Sequence, residues 1–306
     1  MHMNQNIKSF TLIELLVVIV IIGILAGVIM ISTSSSIDKA NIAKSKVFAE
    51  SIKNNLMLNL VSVFSFDDLS GVVNSGTNIN DDWGNYLGVF GTDNTDEENR
   101  LRDGSQCVSG KCLLFKGNGG SNGDYIDLGE NNHFKKEITI SAWVKVFGQG
   151  YNTVAHIASS TWGSGYWITL YKGNDGTSNY NMFRISGVGE AKFHVFPTDN
   201  KWHHIVAYYN GGEMNFYIDS ELVISQSILN SPNASNTNNF MIGKIVENNY
   251  YHFNGMMDEL YFFNEALSSS HVRQIYIIGL NSLLANGNIS KQEYNERINA
   301  LAYEQE

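Results

Sequence analysis

Glu14 stands inside an apolar run that extends from Phe10 to Ile31, with no neighbouring cation in the segment. A bare carboxylate near hydrocarbon is costly, so an acid placed there needs a partner and points to a function. Cys107 and Cys112 are separated by Val108-Ser109-Gly110-Lys111, a spacing that a hairpin turn closes, with Gly110 able to take positive φ. In an exported chain this pair predicts a disulfide; the alternative is two free thiols, and a metal site has no second pair of ligands. Aromatics with the chemistry to stack on sugar rings are Trp162, Trp167 and Tyr171, Trp162 standing beside Gly163-Ser164-Gly165 at a predicted loop tip. Core packing is the competing role for each of these rings. His203-His204 would point to opposite faces of a strand, one packed and one exposed. His-Glu-x-x-His and phosphate-loop patterns do not occur.

The run from Phe10 to Ile31 would make a helix roughly 33 Å long, enough to cross a bilayer. Before it lie residues 1–9, a short leader with Lys8 as its clear cation. Residues 32–60 continue the helix with an apolar stripe at Ile37, Ala40, Ala43, Val47, Ile52, Leu56 and Leu60, and lysines between. At Val61 the period changes to two. From residues 61 to 267, short alternating runs are broken by turns such as Asn74-Ser75-Gly76 and Asn210-Gly211-Gly212. In the run at 138–146, Ile138, Ile140, Ala142, Val144 and Val146 share one face and Thr139, Ser141, Trp143 and Lys145 the other. Ten or so strands in ~200 residues predict an antiparallel β-sandwich. Residues 71–106 fit the pattern least and read as long surface loops. In residues 268–306, a stripe at Val272, Ile275, Tyr276, Leu280, Leu283 and Leu284 predicts a helix ended by Asn286-Gly287. The capping box Ser290-Lys291-Gln292-Glu293, with Ile289 and Tyr294 as its hydrophobic staple, opens a second helix. The fold class expected is therefore mainly β: a long N-terminal α-helix, an antiparallel sandwich and a C-terminal helical hairpin.

The formal net charge is −10 with 16% charged residues, which excludes a phosphate-contacting nucleic-acid binder.

Phe10-Thr11-Leu12-Ile13-Glu14 and the apolar residues after it resemble the N-terminal signature of type IV pilins and pseudopilins. The resemblance implies that a prepilin peptidase cuts between Ser9 and Phe10 and that the new amine of Phe10 is methylated. It also implies that Glu14 meets the terminal amine of a neighbouring subunit during assembly, which supplies the missing cation. The family usually has Gly before the cut; here Ser9 stands there. The proline often found near Ile31 in major pilins is also missing, as in many pseudopilins. The partners implied are prepilin peptidase, other pilin subunits of a filament or pseudopilus, and the inner membrane. The chain would be a single-pass membrane protein before assembly, with its bulk outside the cytoplasm.

Three further stretches are Tyr125–Gly129 with Ile138–Val144, Trp202–Ala207 running on to Asn215–Asp219, and Gly255–Ser268. In that order they resemble the laminin-G-like, concanavalin A-like lectin/glucanase jelly roll. Such domains commonly bind carbohydrate or protein and often hold a structural Ca²⁺. If the first and last strands pair as in that fold, Asp67 and Asp258 are the candidate Ca²⁺ ligands; otherwise Asp67 caps a turn and Asp258 makes a buried hydrogen bond. Ser220 departs from the Gly that the family prefers after Asp219, which predicts a strained turn or one of another type. Retaining glucanases of this fold carry two carboxylates in a Glu-x-Asp-x-Glu pattern, and no Glu-x-Asp occurs here. Residues 280–302 resemble a short C-terminal helical module that is thought to mediate oligomerisation; a hairpin packed on the sandwich is the alternative. Together these resemblances imply an exported pilin-like subunit displaying a lectin-like sandwich for adhesion to a glycan or surface protein, without enzymatic activity. The alternatives are a minor pseudopilin of a secretion or DNA-uptake machine, and a membrane-anchored glycan-active enzyme.

Overall fold

The computed structural model describes residues 12–13, 15–22, 57–84, 86–96, 98–117, 122–131, 137–147, 151–158, 165–171, 181–185, 189–193, 199–228, 238–245 and 251–303. The chain divides into two compact units, Met1–Phe48 and Ala49–Glu306. In the first, residues 12–13 and 15–22 are helical and their apolar side chains are exposed. No helix among the described residues is long and apolar enough to cross a membrane. Ser9, Phe10, Glu14 and the predicted amphipathic stretch from 32 to 56 lie outside the described residues.

The second unit is built from strands β1 (Leu60–Phe64), β2 (Asn78–Asn80), β3 (Leu87–Thr92), β4 (Leu101–Asp103), β5 (Lys111–Phe115), β6 (Asp124–Asn131), β7 (Ile138–Val146) and β8 (Tyr151–Ala158). It continues with β9 (Gly165–Tyr171), β10 (Asn181–Ile185), β11 (Gly189–Phe193), β12 (His203–Tyr209), β13 (Glu213–Ile218), β14 (Glu221–Ser227), β15 (Asn238–Ile242) and β16 (Gly255–Phe263). Two helices close the chain, α1 (Ser269–Ala285) and α2 (Lys291–Tyr303). One sheet runs β14-β13-β12-β7-β16-β5-β4, with β1 also on β16; the other runs β11-β10-β9-β8-β15-β6-β3-β2. The described pairings are antiparallel, so the architecture is the predicted sandwich.

The main core lies between the sheets. It takes the Ile138, Ile140, Ala142, Val144 and Val146 face of β7 together with Phe90, Ile126, Phe183 and Phe240 from the facing sheet. The opposite face of β7 is also buried, because the C-terminal helices cover it. Trp143 packs with Tyr276, Leu280, Leu283, Ile289 and Leu301. Burial of side chains of this size is worth ~1.5–3 kcal/mol each, which outweighs the modest intrinsic stability of two short helices. The hairpin therefore packs on the sandwich. Both predicted helix signals hold: Gly287 takes φ +74 after the Asn286 cap, and Ser290 Oγ accepts from the Glu293 amide at 3.1 Å.

Three expectations are corrected. The helix predicted to reach residue 60 gives way earlier, to a 3₁₀ turn at Met57–Asn59, and Leu60 already pairs with Phe263. Strand β1 is buried along its whole length, because Val61 and Phe64 face the main core while Leu60 and Val63 pack with Leu267 and Val272. The stretch 71–106 supplies three strands, β2, β3 and β4, rather than long surface loops. Ile79 and Phe90 anchor two of them in the core, a signal diluted in the sequence by the glycines and asparagines around them. The turn at Asp219-Ser220 joins β13 to β14 with φ of 51° and 74°, the type I′ signature, carried here by two non-glycine residues.

Candidate functional site

Strand β16 changes neighbours midway. Gly255–Met257 pair with β5 and Leu260–Phe263 pair with β1, and the ladder to β7 shifts register between Asp258 and Tyr261. Glu259 takes φ +49 at this bulge. Asp258 and the end of β1 thus meet at one junction, as terminal-strand pairing predicted.

The Cys107–Cys112 disulfide is formed there and lies fully buried. Its loop is clasped from two sides. Asp258 Oδ2 accepts from the amides of Val108 (2.8 Å) and Ser109 (3.0 Å), and its Oδ1 accepts from the Glu259 amide at 2.8 Å. Asp67 Oδ1 accepts from the Lys111 amide at 2.6 Å. Gly110 has φ +30, and a methyl group on it would lie 1.9 Å from Asp67 Oδ1, so glycine alone fits. From the helical side, Asn286 Nδ2 donates to the Val108 carbonyl and Asn288 Nδ2 to those of Gly104 and Cys107. Burial, then the Glu259 charge, push the Asp258 carboxyl well above the usual carboxylate range.

As a Ca²⁺ site, this arrangement faces hydrogen donors where a metal needs bare oxygens. Three amides fill Asp258, and one fills Asp67 Oδ1. Lys111 Nζ donates to the carbonyls of Asp67 (2.9 Å) and Leu69. The two sulfurs and Asp258 do cluster within 4.8 Å, but the sulfurs are joined to each other and are not thiolate ligands.

A second cluster lies at the start of β12, on the sheet face of its register partner Val144. His203 Nδ1 meets Asp219 Oδ2 at 2.6 Å and its Nε2 meets Asp199 Oδ1 at 3.0 Å. Burial works to lower its pKa, but the two carboxylates outweigh this and hold it above the ordinary histidine value. His204 points the other way, is fully buried, and lies 2.8 Å from Ser141 Oγ with its ring beside both Trp143 and Tyr276. Burial lowers its pKa to about 4. A Ser–His contact suggests nucleophilic chemistry, yet both residues are sealed beneath α1, so it serves packing.

Opposite signs of linkage follow from these two histidines. His203 stabilises the fold below its unfolded pKa of about 6.5, and this contribution is lost as pH rises through its folded value. His204, kept neutral, acts in the reverse sense and penalises the fold as pH falls below about 6.5. The stability difference between the natural chain and His203→Gln should therefore be largest at mildly acidic pH and shrink above neutrality. Paired thermal melts across pH check this; a difference that grows with pH would contradict the assignment of His203 as an ion-pair partner.

Of the aromatic candidates, Trp162 lies outside the described residues, whereas Trp167 and Tyr171 both lie on β9. Tyr171 pairs in register with Tyr151. Trp167 belongs to a row that crosses the whole second sheet. Asn78, Val89, Asp127, Met241, His156, Trp167, Arg184 and Glu190 are successive register partners from β2 to β11. Arg184 and Glu190 form an ion pair at 3.5 Å, and Asp127 and Met241 are half-buried. Among the described residues, the helical pair packs against the first sheet, not against this row. The aromatics were legible in the sequence but the row was not, since only strand register aligns residues so distant along the chain.

Comparison with known proteins agrees with this architecture. The family model described as the concanavalin A-like lectin/glucanases superfamily matches residues 118–273, and the prokaryotic N-terminal methylation motif matches residues 4–30. Among solved structures, the chain is similar to domain 4 of AbnA, a GH43 extracellular arabinanase from Geobacillus stearothermophilus, crystallised in complex with arabinotriose. The identity is 18%, over 71% of this chain and 98% of that one, with a TM-score of 0.53. It is also similar to the botulinum neurotoxin serotype D binding domain, at 15% identity over 75% of this chain and 53% of that one, with a TM-score of 0.50. At these identities the likeness shows the fold alone. No curated protein sequence matches the chain.

Proposed function

The chain belongs to the concanavalin A-like lectin/glucanase superfamily, and from that premise we propose that it is an exported type IV pilin-like subunit whose sandwich binds carbohydrate at a surface. The observation that carries this reading is the joining, in one chain, of a methylation motif at 4–30 to a concanavalin A-like domain at 118–273. The first supplies processing at Ser9/Phe10 by prepilin peptidase and assembly with other pilin subunits through Glu14. The second supplies the displayed binding domain. A disulfide fits an oxidising compartment outside the cytoplasm.

On the sandwich, the favoured glycan face is the cross-strand row on the second sheet. Its register row carries Trp167 together with the part-exposed Arg184, Asp127 and Glu190, residue types that orient a sugar ring, while His156 in the same row is fully buried. Support also comes from the arabinanase domain, a comparable fold crystallised with an arabino-oligosaccharide. The reading is non-enzymatic. The sequence has no Glu-x-Asp pair, and Asp258 of the adjacent Asp258-Glu259 pair is committed to backbone amides.

Two measurements on protein isolated from its own cells test the reading. Intact mass should begin at Phe10 and carry one added methyl group; a mass retaining Met1 to Ser9 would withdraw the pilin assignment. Binding to a panel of immobilised oligosaccharides, arabinan fragments included, should be lost in Trp167→Ala with an unchanged melting temperature. Retention of every panel ligand by that variant would remove the row as the glycan face.

A further inference from the structure

The resemblance leads to a metal at the terminal-strand junction, and the side chains present there do not fit one. The backbone just after β1 is shaped like a cation loop. Phe66 takes φ +61, the Leu69 amide donates to the Phe66 carbonyl at 3.2 Å, and the carbonyls of Asp67 and Leu69 converge on one point. Two carbonyls beside a carboxylate are the donor set a hard cation takes. The position they surround is filled from within the chain by Lys111 Nζ, which donates to both carbonyls, while the Lys111 amide engages Asp67 Oδ1.

We propose that the ammonium of Lys111 is the built-in cation of this junction, and that it makes the sandwich independent of Ca²⁺. An ammonium is a compact point charge with three donors, so it can satisfy two carbonyls at once. The rest of the local negative charge is met by dipoles, not by a second ion: Asp258 is cradled by the amides of Val108, Ser109 and Glu259. The disulfide fixes both halves of this solution. Cys112 follows Lys111 directly and Cys107 precedes Val108, so one bridged loop delivers the ammonium to the β1 turn and the amides to β16. The inference concerns how the domain is held together and does not rest on its glycan reading.

The test uses the full chain in detergent, with CaCl₂ or with EGTA, followed by thermal unfolding and by calorimetric Ca²⁺ titration. The natural chain should bind no Ca²⁺ at this junction and should melt at the same temperature in both buffers. Lys111→Met should melt lower by on the order of 5 °C in EGTA, since charge-assisted bonds to two carbonyls are lost. Ca²⁺ should then raise its melting temperature, because the freed carbonyls and Asp67 become available to a metal. Ca²⁺ stabilisation of the natural chain that disappears in Asp67→Asn would overturn the proposal. So would a Lys111→Met variant that melts at the natural temperature, or one that Ca²⁺ leaves unmoved. If Lys111→Met does not fold, the titration of the natural chain and of Asp67→Asn decides alone.

Discussion

Replacing Arg100 with methionine is expected to cost about 3–5 kcal/mol of folding stability, the range for breaking a buried ion pair from one side. Arg100 is 1% exposed and Asp124 is 0% exposed. Arg100 Nε donates to Asp124 Oδ2 at 2.5 Å, and Nη1 donates to Asp96 Oδ1 (2.6 Å) and to the Glu98 carbonyl (2.7 Å). Asp124 also accepts from Asn94 Nδ2 at 2.9 Å and from the Lys116 amide at 2.8 Å. Methionine keeps much of the apolar length of Arg100 but leaves the carboxylate buried without its cation. The pair also joins elements distant in sequence: the Arg100 amide donates to the Val73 carbonyl, and the Leu114 amide to the Arg100 carbonyl. Asp124→Asn should be milder than Arg100→Met, because an amide oxygen still accepts from Lys116 while no negative charge is stranded. Urea denaturation of the two single variants and the double variant measures the coupling. A loss below about 1 kcal/mol for Arg100→Met would place the pair among solvent-screened surface bridges and refute its structural role.

What the sequence disclosed and what it withheld divide along physical lines. The sandwich was legible because strand alternation is local: Ile138 to Val146 show their two faces in nine consecutive residues. Turn and cap chemistry was legible for the same reason, as with Asn286-Gly287 and the Ser290–Glu293 box. The disulfide needed only a short spacing and an export signal. Long-range pairing was not legible. Lys111 gives no hint in its own neighbourhood that its ammonium reaches the carbonyls of Asp67 and Leu69. Asp67 and Asp258 do come to one junction, yet whether carboxylates meet a metal or amides depends on which loop arrives between them. The sequence did not say which of His203 and His204 would be packed, and the partner of His203, Asp219, enters only because the β13–β14 turn folds back onto β12. The cross-strand row on the second sheet requires register across eight strands, which no window of sequence contains.

The C-terminal hairpin supplies the second large effect, in Trp143→Ala, expected to cost about 3–5 kcal/mol. Trp143 is 1% exposed, and it is the hinge of the contact between sheet and helices. Its ring stacks on Tyr276 with centroids 5.7 Å apart and an interplanar angle of 16°, and it lies 5.4 Å from the His204 ring. Helix α1 can come this close because residue 279 is glycine: a methyl group there would sit 2.3 Å from the Trp143 ring. Removing the indole leaves a void that neither strand nor helix can fill without moving, so lost transfer energy and cavity cost add. The damage should be local before it is global. The main core uses the other face of β7, so the sheets keep their contacts while α1 and α2 lose theirs. The loop between the helices should then release the disulfide loop, as Asn286 and Asn288 give up the carbonyls of Gly104, Cys107 and Val108. Hydrogen exchange reads this directly: amides of 269–303 in Trp143→Ala should lose protection by a much larger factor than those of β8 or β15. Equal loss throughout would mean that the hairpin and the sandwich unfold as one cooperative unit. Unchanged protection in α1 would mean that the helix is held by something other than this stack, and the account of its docking would fail.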